Sequence, residues 1–190
     1  MREKKVHRFP VVNKKGQLVG IVSQSDLLNA RPSSVTTLSI WEVTYLLSQI
    51  SVDQVMTRKV VTVDVDCPIE EAARLMRQHS IGGMPVLRNG QLAGIITESD
   101  IFDVFLELLM AREAGVRLTA LAPYFKGSMA QITSAITQKG GLIHSLNSFR
   151  SEEEGTWGCV LKVADITKQE LIAAVEPLVV RVLDTQDVQS

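Results

Sequence analysis

Apolar and polar residues alternate in two stretches of the first half of the chain, and each alternation is interrupted by a polar turn that contains glycine. The first stretch is Pro10–Val22 around the turn Asn13–Gly16, and the second is Met84–Gly94. Alternation with a period of two is typical of half-buried strands, so each stretch is predicted to be a β-hairpin. A helix is predicted after each hairpin, with Ser25 as the N-cap of the first and residues 99–113 forming the second.

Three further segments of the first half have the periodicity of regular elements. Val60–Val65 alternates β-branched residues and is predicted to be a strand. A helix is predicted to open at Pro68, since proline suits the first turn. Residues 37–49 repeat apolar side chains at helical spacing, and we expect Trp41 and Tyr45 to pack between the two hairpin units.

The helix predicted at 99–113 carries more apolar side chains than a single stripe requires. We therefore predict that it is buried on two sides, and that Gly115 ends it at the C-cap. The apolar residues are Ile101, Phe102, Val104, Phe105, Leu108 and Leu109.

The two hairpins belong to an internal repeat. Gly20–Asp26 reads GIVSQSD and Gly94–Asp100 reads GIITESD, with the same glycine, hydroxyl and aspartate positions. Two copies are too few for a solenoid, so they predict a paired, pseudo-symmetric module. The second copy has an upstream strand and helix that the first copy lacks, so the chain is expected to begin inside the first helix of the first copy.

The last part of the chain shows a different order of elements, which is that of the ferredoxin-like split βαβ arrangement, βαββαβ. The pattern predicts strands at Val116–Ala122, Leu142–Phe149, Trp157–Val163 and Val179–Leu183, and helices at Ser128–Lys139 and Thr167–Leu178.

Composition is that of a globular protein with a real core. The chain has 190 residues, which is room for one large domain or two small ones, and 45% of them are hydrophobic. A net charge of −1 gives no indication of nucleic acid or of a basic membrane contact. No apolar run reaches the roughly 20 residues that span a bilayer. Cys67 and Cys159 have no metal or disulfide spacing, so two reduced thiols in a cytoplasmic protein are expected.

The repeated S/T-x-x-D pattern at a strand-to-helix turn is suited to a nucleotide. The Ser23 or Thr97 hydroxyl can donate to a phosphate or ribose oxygen, and the Asp26 or Asp100 carboxylate can accept from ribose hydroxyls. The free N–H groups of the following helix favour a phosphate. The alternative is plain capping, with Ser25 or Ser99 as the cap and the aspartate favouring the helix dipole. The occurrence of two copies favours the nucleotide site.

No catalytic motif is present in the sequence: there is no G-x-S-x-G, HExxH, Walker loop or G-x-G-x-x-G. His7, His79 and His144 fall in different predicted elements and predict no shared metal. We therefore expect a non-catalytic protein without a metal or an obligatory cofactor.

Residues 1–114 resemble the paired CBS domain, or Bateman module. The resemblance is carried by His7–Val12 with Gly20–Asp26, and by Gly82–Leu87 with Gly94–Asp100. The βαββαβ segment resembles an ACT domain, with Gly127 between its first strand and first helix. The combination is similar to AcuB-type acetoin-utilisation regulatory proteins. It implies an α+β fold: a CBS-domain pair (1–50 with an incomplete N-terminus, and 51–114) followed by a ferredoxin-like ACT domain (115–190).

The resemblance implies composite binding sites for an adenosine-containing nucleotide and a small ligand, usually an amino acid, on the ACT-like domain. In related modules a His-Arg pair contacts phosphates, so site one is expected to be the stronger, and a homodimer is expected by analogy. Site one would use His7, Arg8, Ser23, Asp26, Thr62, Val63 and Val86; the weaker site two would use Val11, Gly82, Gly83, Thr97 and Asp100; the ACT-like ligand site would use Tyr124, Phe125, Lys126, Gly127, Ser128 and Met129.

Three functions follow as hypotheses. In the first, a regulatory sensor binds an AMP-, ADP- or ATP-like ligand and relays this to the ACT-like domain or to a partner. In the second, the chain is a structural or oligomerisation module with vestigial sites. In the third, the ACT-like domain senses an amino acid and the CBS pair is a scaffold.

Overall fold

The computed structural model describes residues 1, 3, 6–30 and 39–189, and these form two compact units, 1–101 and 102–190. The first unit contains two related sets of elements, called here the first and second repeats. The first repeat has β1 (Arg8–Val12), β2 (Leu18–Ser23), α1 (Gln24–Asn29) and α2 (Ile40–Ser48). The second has α3 (Val52–Val55), β3 (Val63–Asp64), α4 (Ile69–His79), β4 (Gly83–Arg88), β5 (Gln91–Thr97) and the start of α5 (Glu98–Leu108), a helix that continues into the second unit.

Both predicted hairpins are confirmed. Strands β1 and β2 pair antiparallel, as do β4 and β5, and β3 adds to β4 in parallel. In the first turn, the Asn13 side-chain oxygen accepts from the amides of Lys15 and Gln17 at 2.9 and 3.0 Å. The second turn has two central residues, Asn89 and Gly90, both at positive φ. This is the combination that a tight two-residue hairpin requires.

A backbone connection joins the second repeat to the hairpin of the first. The Ile21 amide donates to the Thr57 carbonyl and the Thr57 amide donates to the Ile21 carbonyl, each at 2.9 Å. Gly20 permits this approach, because a Cβ there would collide with the Met56 side chain. The segment before β3 is therefore held against β2.

The core of the first unit lies between α4 and the three-stranded sheet. Met84 is fully buried on β4, and Met76 and Val63 face it with 2% and 8% exposure. Helix α4 begins at Ile69 after Pro68 and ends at His79, and Ser80 at its C-cap adopts the left-handed conformation with φ +53°. The chain then turns directly into β4, which brings residues 80–83 to the end of the sheet.

Several predicted boundaries between residues 1 and 115 are wrong. Strand β3 covers only Val63 and Asp64 of the predicted strand Val60–Val65, and the Val65 amide adds one bond to the Leu87 carbonyl of β4. Helix α1 is capped by Ser23 and not by Ser25. Helix α5 ends at Leu108, because the chain turns at Met110 with φ +49°, and Gly115 begins the next strand instead of capping a helix. Of the predicted helix 37–49, the first two residues lie outside the described residues.

Two expectations about burial are also wrong. Trp41 and Tyr45 are 83% and 65% exposed, so they do not pack between the repeats. Helix α5 is not buried on two sides, since Phe102, Phe105 and Leu108 are 66%, 53% and 62% exposed. Helical periodicity identifies which residues share a face, but it does not identify what covers that face.

The second unit confirms the predicted ferredoxin-like βαββαβ order. Its four strands form one antiparallel sheet in the order β7-β8-β6-β9, with the two long-range connections made by helices. The elements are β6 (Gly115–Pro123), α6 (Ser128–Gln138), β7 (Leu142–Arg150), β8 (Thr156–Ala164), α7 (Lys168–Val175), a short 3-10 turn (Glu176–Leu178) and β9 (Arg181–Val188).

The second core is larger than the first and lies between the helices and one face of this sheet. Leu118, Leu161, Ile132 and Leu171 are at most 1% exposed within it. The predicted capping box of α7 is confirmed by the Thr167 hydroxyl, which donates to Glu170 at 2.6 Å and lowers the pKa of that carboxyl. The last predicted strand is displaced to Arg181–Val188, because Glu176–Leu178 form the 3-10 turn.

The two cysteines are free, as expected from their spacing. Cys67 is half-buried, while Cys159 is fully buried in β8, and burial raises the pKa of its thiol. None of the described helices combines the length and the hydropathy needed to cross a membrane.

One buried cation anchors the segment before β6. Lys162 is 4% exposed on β8, and its Nζ donates to the Met110 carbonyl at 2.7 Å. Met110 lies just past the end of α5, where unpaired carbonyls favour a positive charge. The ammonium therefore ties the chain after α5 to the sheet.

We expect Lys162→Met to lower the free energy of unfolding of the second unit by about 1–3 kcal/mol, because the Met110 carbonyl loses its donor in a buried place. Urea denaturation followed through Trp157 fluorescence, in a Trp41→Phe background, measures this. Lys168→Met, at an exposed position of α7, is the matched control and should change stability by less than about 0.5 kcal/mol. Unchanged stability of Lys162→Met would contradict the anchoring role.

Candidate functional site

A cavity of about 300 Å³ in the first unit is lined by both repeats. The first repeat supplies residues of β1, β2 and α1. The second repeat supplies the segment held against β2 and the turn between α4 and β4. The lining residues are Arg8, Ile21, Ser23, Ser25 and Asp26 from the first repeat, and Thr57, Lys59, Val60, Val61, Ser80, Ile81, Gly82 and Gly83 from the second.

Ser23 and Asp26 are held together at the start of α1. The amide and hydroxyl of Ser23 both donate to Asp26 Oδ2 at 2.7 Å, and the Asp26 amide donates back to Ser23 Oγ at 3.2 Å. This is a reciprocal capping box. Both bonds to the carboxylate use Oδ2, so capping leaves Oδ1 uncommitted. The repeated motif thus forms the cap itself and still offers one carboxylate oxygen.

The second copy of the motif has the same geometry at the start of α5. The amide and hydroxyl of Thr97 donate to Asp100 Oδ2 at 2.7 and 2.6 Å, and the Asp100 amide donates to Thr97 Oγ1 at 3.3 Å. Helix capping by this motif therefore occurs, but the capping residues are Ser23 and Thr97 and not the predicted Ser25 and Ser99.

Arg8 connects the two repeats within the cavity. It is the first residue of β1, and its Nη1 donates to the Gly83 carbonyl at 3.0 Å. The structure thus brings Arg8, Ser23 and Asp26 of predicted site one together with Gly82 and Gly83 of predicted site two. Neighbouring His7 is exposed, and its Nδ1 lies 3.0 Å from Gln24 Oε1.

The remaining predicted residues lie in the surrounding strands. Val63 pairs with Val86 across β3 and β4, and Val63 belongs to the core. Thr62 is half-buried beside Val63, and Val11 lies in β1 opposite Gly20. None of these four lines the cavity, and their roles stay predictions.

Sequence reasoning missed the segment that precedes β3. Lys59, Val60 and Val61 line the cavity because the Ile21–Thr57 backbone bonds bring this segment to the first repeat. A basic residue directly before an apolar pair was visible in the sequence. The sequence did not indicate that this segment pairs with β2, because the pairing uses backbone N–H and C=O groups that almost every residue has.

The described residues hold no cluster of three or more His, Cys, Asp or Glu side chains that could bind a metal ion. Within the cavity, the charged side chains are Arg8, Lys59 and Asp26. Two cations and one capped carboxylate leave the cavity with an excess of positive charge, which favours an anionic ligand.

The second unit has a larger cavity, of about 690 Å³, around the predicted ACT-like ligand site. Five of the six predicted residues line it, and Lys126 does not. The lining residues that the sequence did not indicate come from the end of β7, the start of β8 and the turn between them. The lining is Tyr124, Phe125, Gly127, Ser128, Met129, Ser148, Phe149, Arg150, Ser151, Glu153, Glu154, Gly155, Thr156 and Trp157.

Backbone and side-chain bonds hold the walls of this second cavity. The Trp157 indole donates to the Pro123 carbonyl and to Ser128 Oγ, both at 3.1 Å. Gly127 has φ +99°, which allows the loop to turn into α6. Tyr124 is 78% exposed, so its ring stands at the rim and not in the core.

A family model of the CBS domain matches residues 1–33 and 52–107. A CBS domain-containing protein of Dictyostelium discoideum is 36% identical over 105 residues, which are 55% of this chain and 72% of that protein. The chain therefore belongs to the CBS-domain family, as the two repeats indicated. The matched residues end before β6, and the resemblance of the second unit to an ACT domain stays a prediction.

Two solved structures are also similar. A Vibrio cholerae protein assigned to acetoin utilization (AcuB) is 33% identical, with 58% of this chain and 74% of that chain covered and a TM-score of 0.47. CBSX2, solved in complex with AMP, is 32% identical, with 55% and 77% covered and a TM-score of 0.45.

We expect Asp26→Ala and Asp100→Ala each to lower the free energy of unfolding of the first unit by about 1 kcal/mol, because the two capping boxes have nearly identical geometry. Urea denaturation monitored by circular dichroism at 222 nm tests this. A loss confined to one variant would show that only one of the two boxes forms in solution.

Proposed function

We propose that this chain is a non-catalytic regulatory protein that binds an adenosine-containing nucleotide, of the AMP, ADP or ATP kind, in the cavity between its CBS repeats. CBS domains are regulatory modules without catalytic groups, which supports this class of function. The single observation that carries the proposal is one cavity that combines Arg8 and Lys59 with the Ser23–Asp26 pair.

The chemistry of these groups suits the parts of a nucleotide. A guanidinium and an ammonium favour phosphate. The Oδ1 atom of Asp26, which neither capping bond uses, suits a ribose hydroxyl. Val60 and Val61 offer apolar contact for a base. The volume of about 300 Å³ is at the lower end of the range of about 300–1,000 Å³ for small-molecule sites.

We further propose that site two, with Thr97 and Asp100, is weak or vestigial, since Gly82 and Gly83 supply no charge of their own. Ligand binding in site one would be relayed to the ACT-like second unit or to a partner. Such a relay requires two conformational states of the protein, and the ligand shifts the equilibrium between them only by the difference in its affinity for the two. The exposed apolar residues of α5 support a homodimer.

We expect the wild-type protein to bind AMP or ATP, and Asp26→Ala to weaken that binding by about tenfold or more, since a bond to a charged group is lost. Asp100→Ala should bind within about threefold of wild type. Calorimetric titration with AMP, ATP, S-adenosylmethionine and cyclic di-AMP measures this.

The stability of both aspartate variants, measured as above, separates lost binding from lost folding. Sedimentation velocity should give the same assembly for all three proteins. Absence of binding by the wild type would support the structural or oligomerisation alternative, and equal losses in both variants would overturn the asymmetry of the sites.

A second candidate function has its own observation, the cavity of about 690 Å³ in the second unit. Arg150 can pair with a carboxylate and Glu153 or Glu154 with an ammonium, while Phe125 and Phe149 offer apolar contact. This combination suits a free amino acid. In this hypothesis, the ACT-like domain is the sensor and the CBS pair is its scaffold.

A thermal-shift screen of free amino acids tests this candidate. A binding amino acid should raise the melting temperature through mass action, and Arg150→Gln should abolish the shift. Asp26→Ala, which alters the other cavity, is the control and should retain it. A shift that survives Arg150→Gln, or no shift with any amino acid, would contradict the second candidate.

A further inference from the structure

The guanidinium of Arg8 occupies a space that a side chain at residue 82 would otherwise fill. A Cβ added to Gly82 would lie 2.8 Å from Arg8 Nη2 and 2.9 Å from Glu98 Oε2. The Arg8 Nη1 atom at the same time donates to the Gly83 carbonyl at 3.0 Å. The head groups of Arg8 and Glu98 therefore converge on the bare backbone of Gly82.

The equivalent place in the first repeat is filled in another way. The Gln24 amide donates to the His7 carbonyl at 2.8 Å, as the Glu98 amide donates to the Gly82 carbonyl at 3.3 Å. Gln24 and Glu98 thus correspond, and so do His7 and Gly82. In the first repeat, the two side chains meet as the pair His7 Nδ1 and Gln24 Oε1. In the second repeat, the Glu98 carboxylate and the Arg8 guanidinium supplied by the first repeat both lie next to the bare backbone of Gly82, without forming an ion pair with each other.

We propose that Glu98 is a specificity-determining residue of the nucleotide site and that it acts through Arg8. This inference rests on the proposed function. Arg8 lines the cavity, whereas Glu98, at the exposed start of α5, does not line it. The carboxylate lies near the guanidinium and partly offsets the positive charge that Arg8 presents to a phosphate. Its negative charge also opposes each further charge that a ligand brings.

The effect depends on ligand charge and not on the adenine base. A carboxylate near Arg8 leaves the binding of neutral adenosine unaffected, weakens the binding of AMP, and weakens the binding of ATP most. Because the carboxylate is exposed, solvent and salt screen it, so its effect on affinity should be about threefold to tenfold and not larger.

We expect Glu98→Gln to bind AMP about threefold to tenfold more tightly than wild type and ATP at least as much more tightly, with adenosine unchanged. Calorimetry with the full chain measures all three ligands. The gain should shrink between about 0.1 M and 1 M salt, where the screening length falls from roughly 10 to 3 Å. Glutamine is nearly isosteric and is the residue at the matched position of the first repeat, Gln24.

Two controls separate this role from a general change in charge or stability. Glu70→Gln removes one carboxylate from the first turn of α4 and should leave AMP affinity within about twofold of wild type. In an Arg8→Gln background, Glu98→Gln should give no gain, because the two residues act as one unit. A gain that persists without Arg8, or that extends to adenosine, would overturn the inference.

The outcomes also separate this inference from the proposed function. If the wild type binds AMP and Glu98→Gln binds it equally or more weakly, only the role of Glu98 is wrong. If the wild type binds none of the three ligands, the proposed function fails and the role of Glu98 fails with it.

Discussion

The reciprocal backbone bonds between Ile21 and Thr57 are the contact on which the first unit depends. They hold the segment before β3 against the hairpin of the first repeat, and Gly20 makes room for Met56 beside them. These bonds fix where Thr57 and the segment up to Val61 lie relative to the Ser23–Asp26 pair, and the bond from Arg8 to the Gly83 carbonyl joins the repeats at a second place. The cavity is therefore a product of how the repeats join, and neither repeat contains it alone.

The S/T-x-x-D motif performs two tasks with one set of atoms. The reciprocal bonds of Ser23 and Asp26 satisfy amide groups at the start of α1. Every helix has amide groups in its first turn that lack a partner within the helix and need one elsewhere. The same bonds orient the carboxylate and hydroxyl before any ligand arrives, so little side-chain freedom remains to be lost on binding. Capping and recognition are consequently not competing interpretations of this motif, and a substitution in it affects both.

The sequence predicted the elements better than their ends or their surroundings. The repeat, both hairpins and the βαββαβ order follow from local periodicity and turn residues such as Asn13 and Gly90, and all are found. The end of α5 at Leu108 and the exposure of Phe102 depend on distant packing, which local pattern does not contain. The same holds for the cavity: Ser23 and Asp26 were marked by their repetition, whereas Lys59 joins them through backbone bonds that carry no signature in the sequence.

The bare backbone of Gly82 has a consequence for how the two copies can diverge. An arginine at position 8 and a side chain at position 82 compete for one volume, so each position restricts what the other can become. Glycine at position 82 leaves room for the Arg8 guanidinium to reach the Gly83 carbonyl, and a side chain there would require the Arg8 and Glu98 head groups to move. The two repeats of this chain are therefore not equivalent, because the first supplies an arginine that crosses to the second, and the second supplies no side chain at position 82 in return.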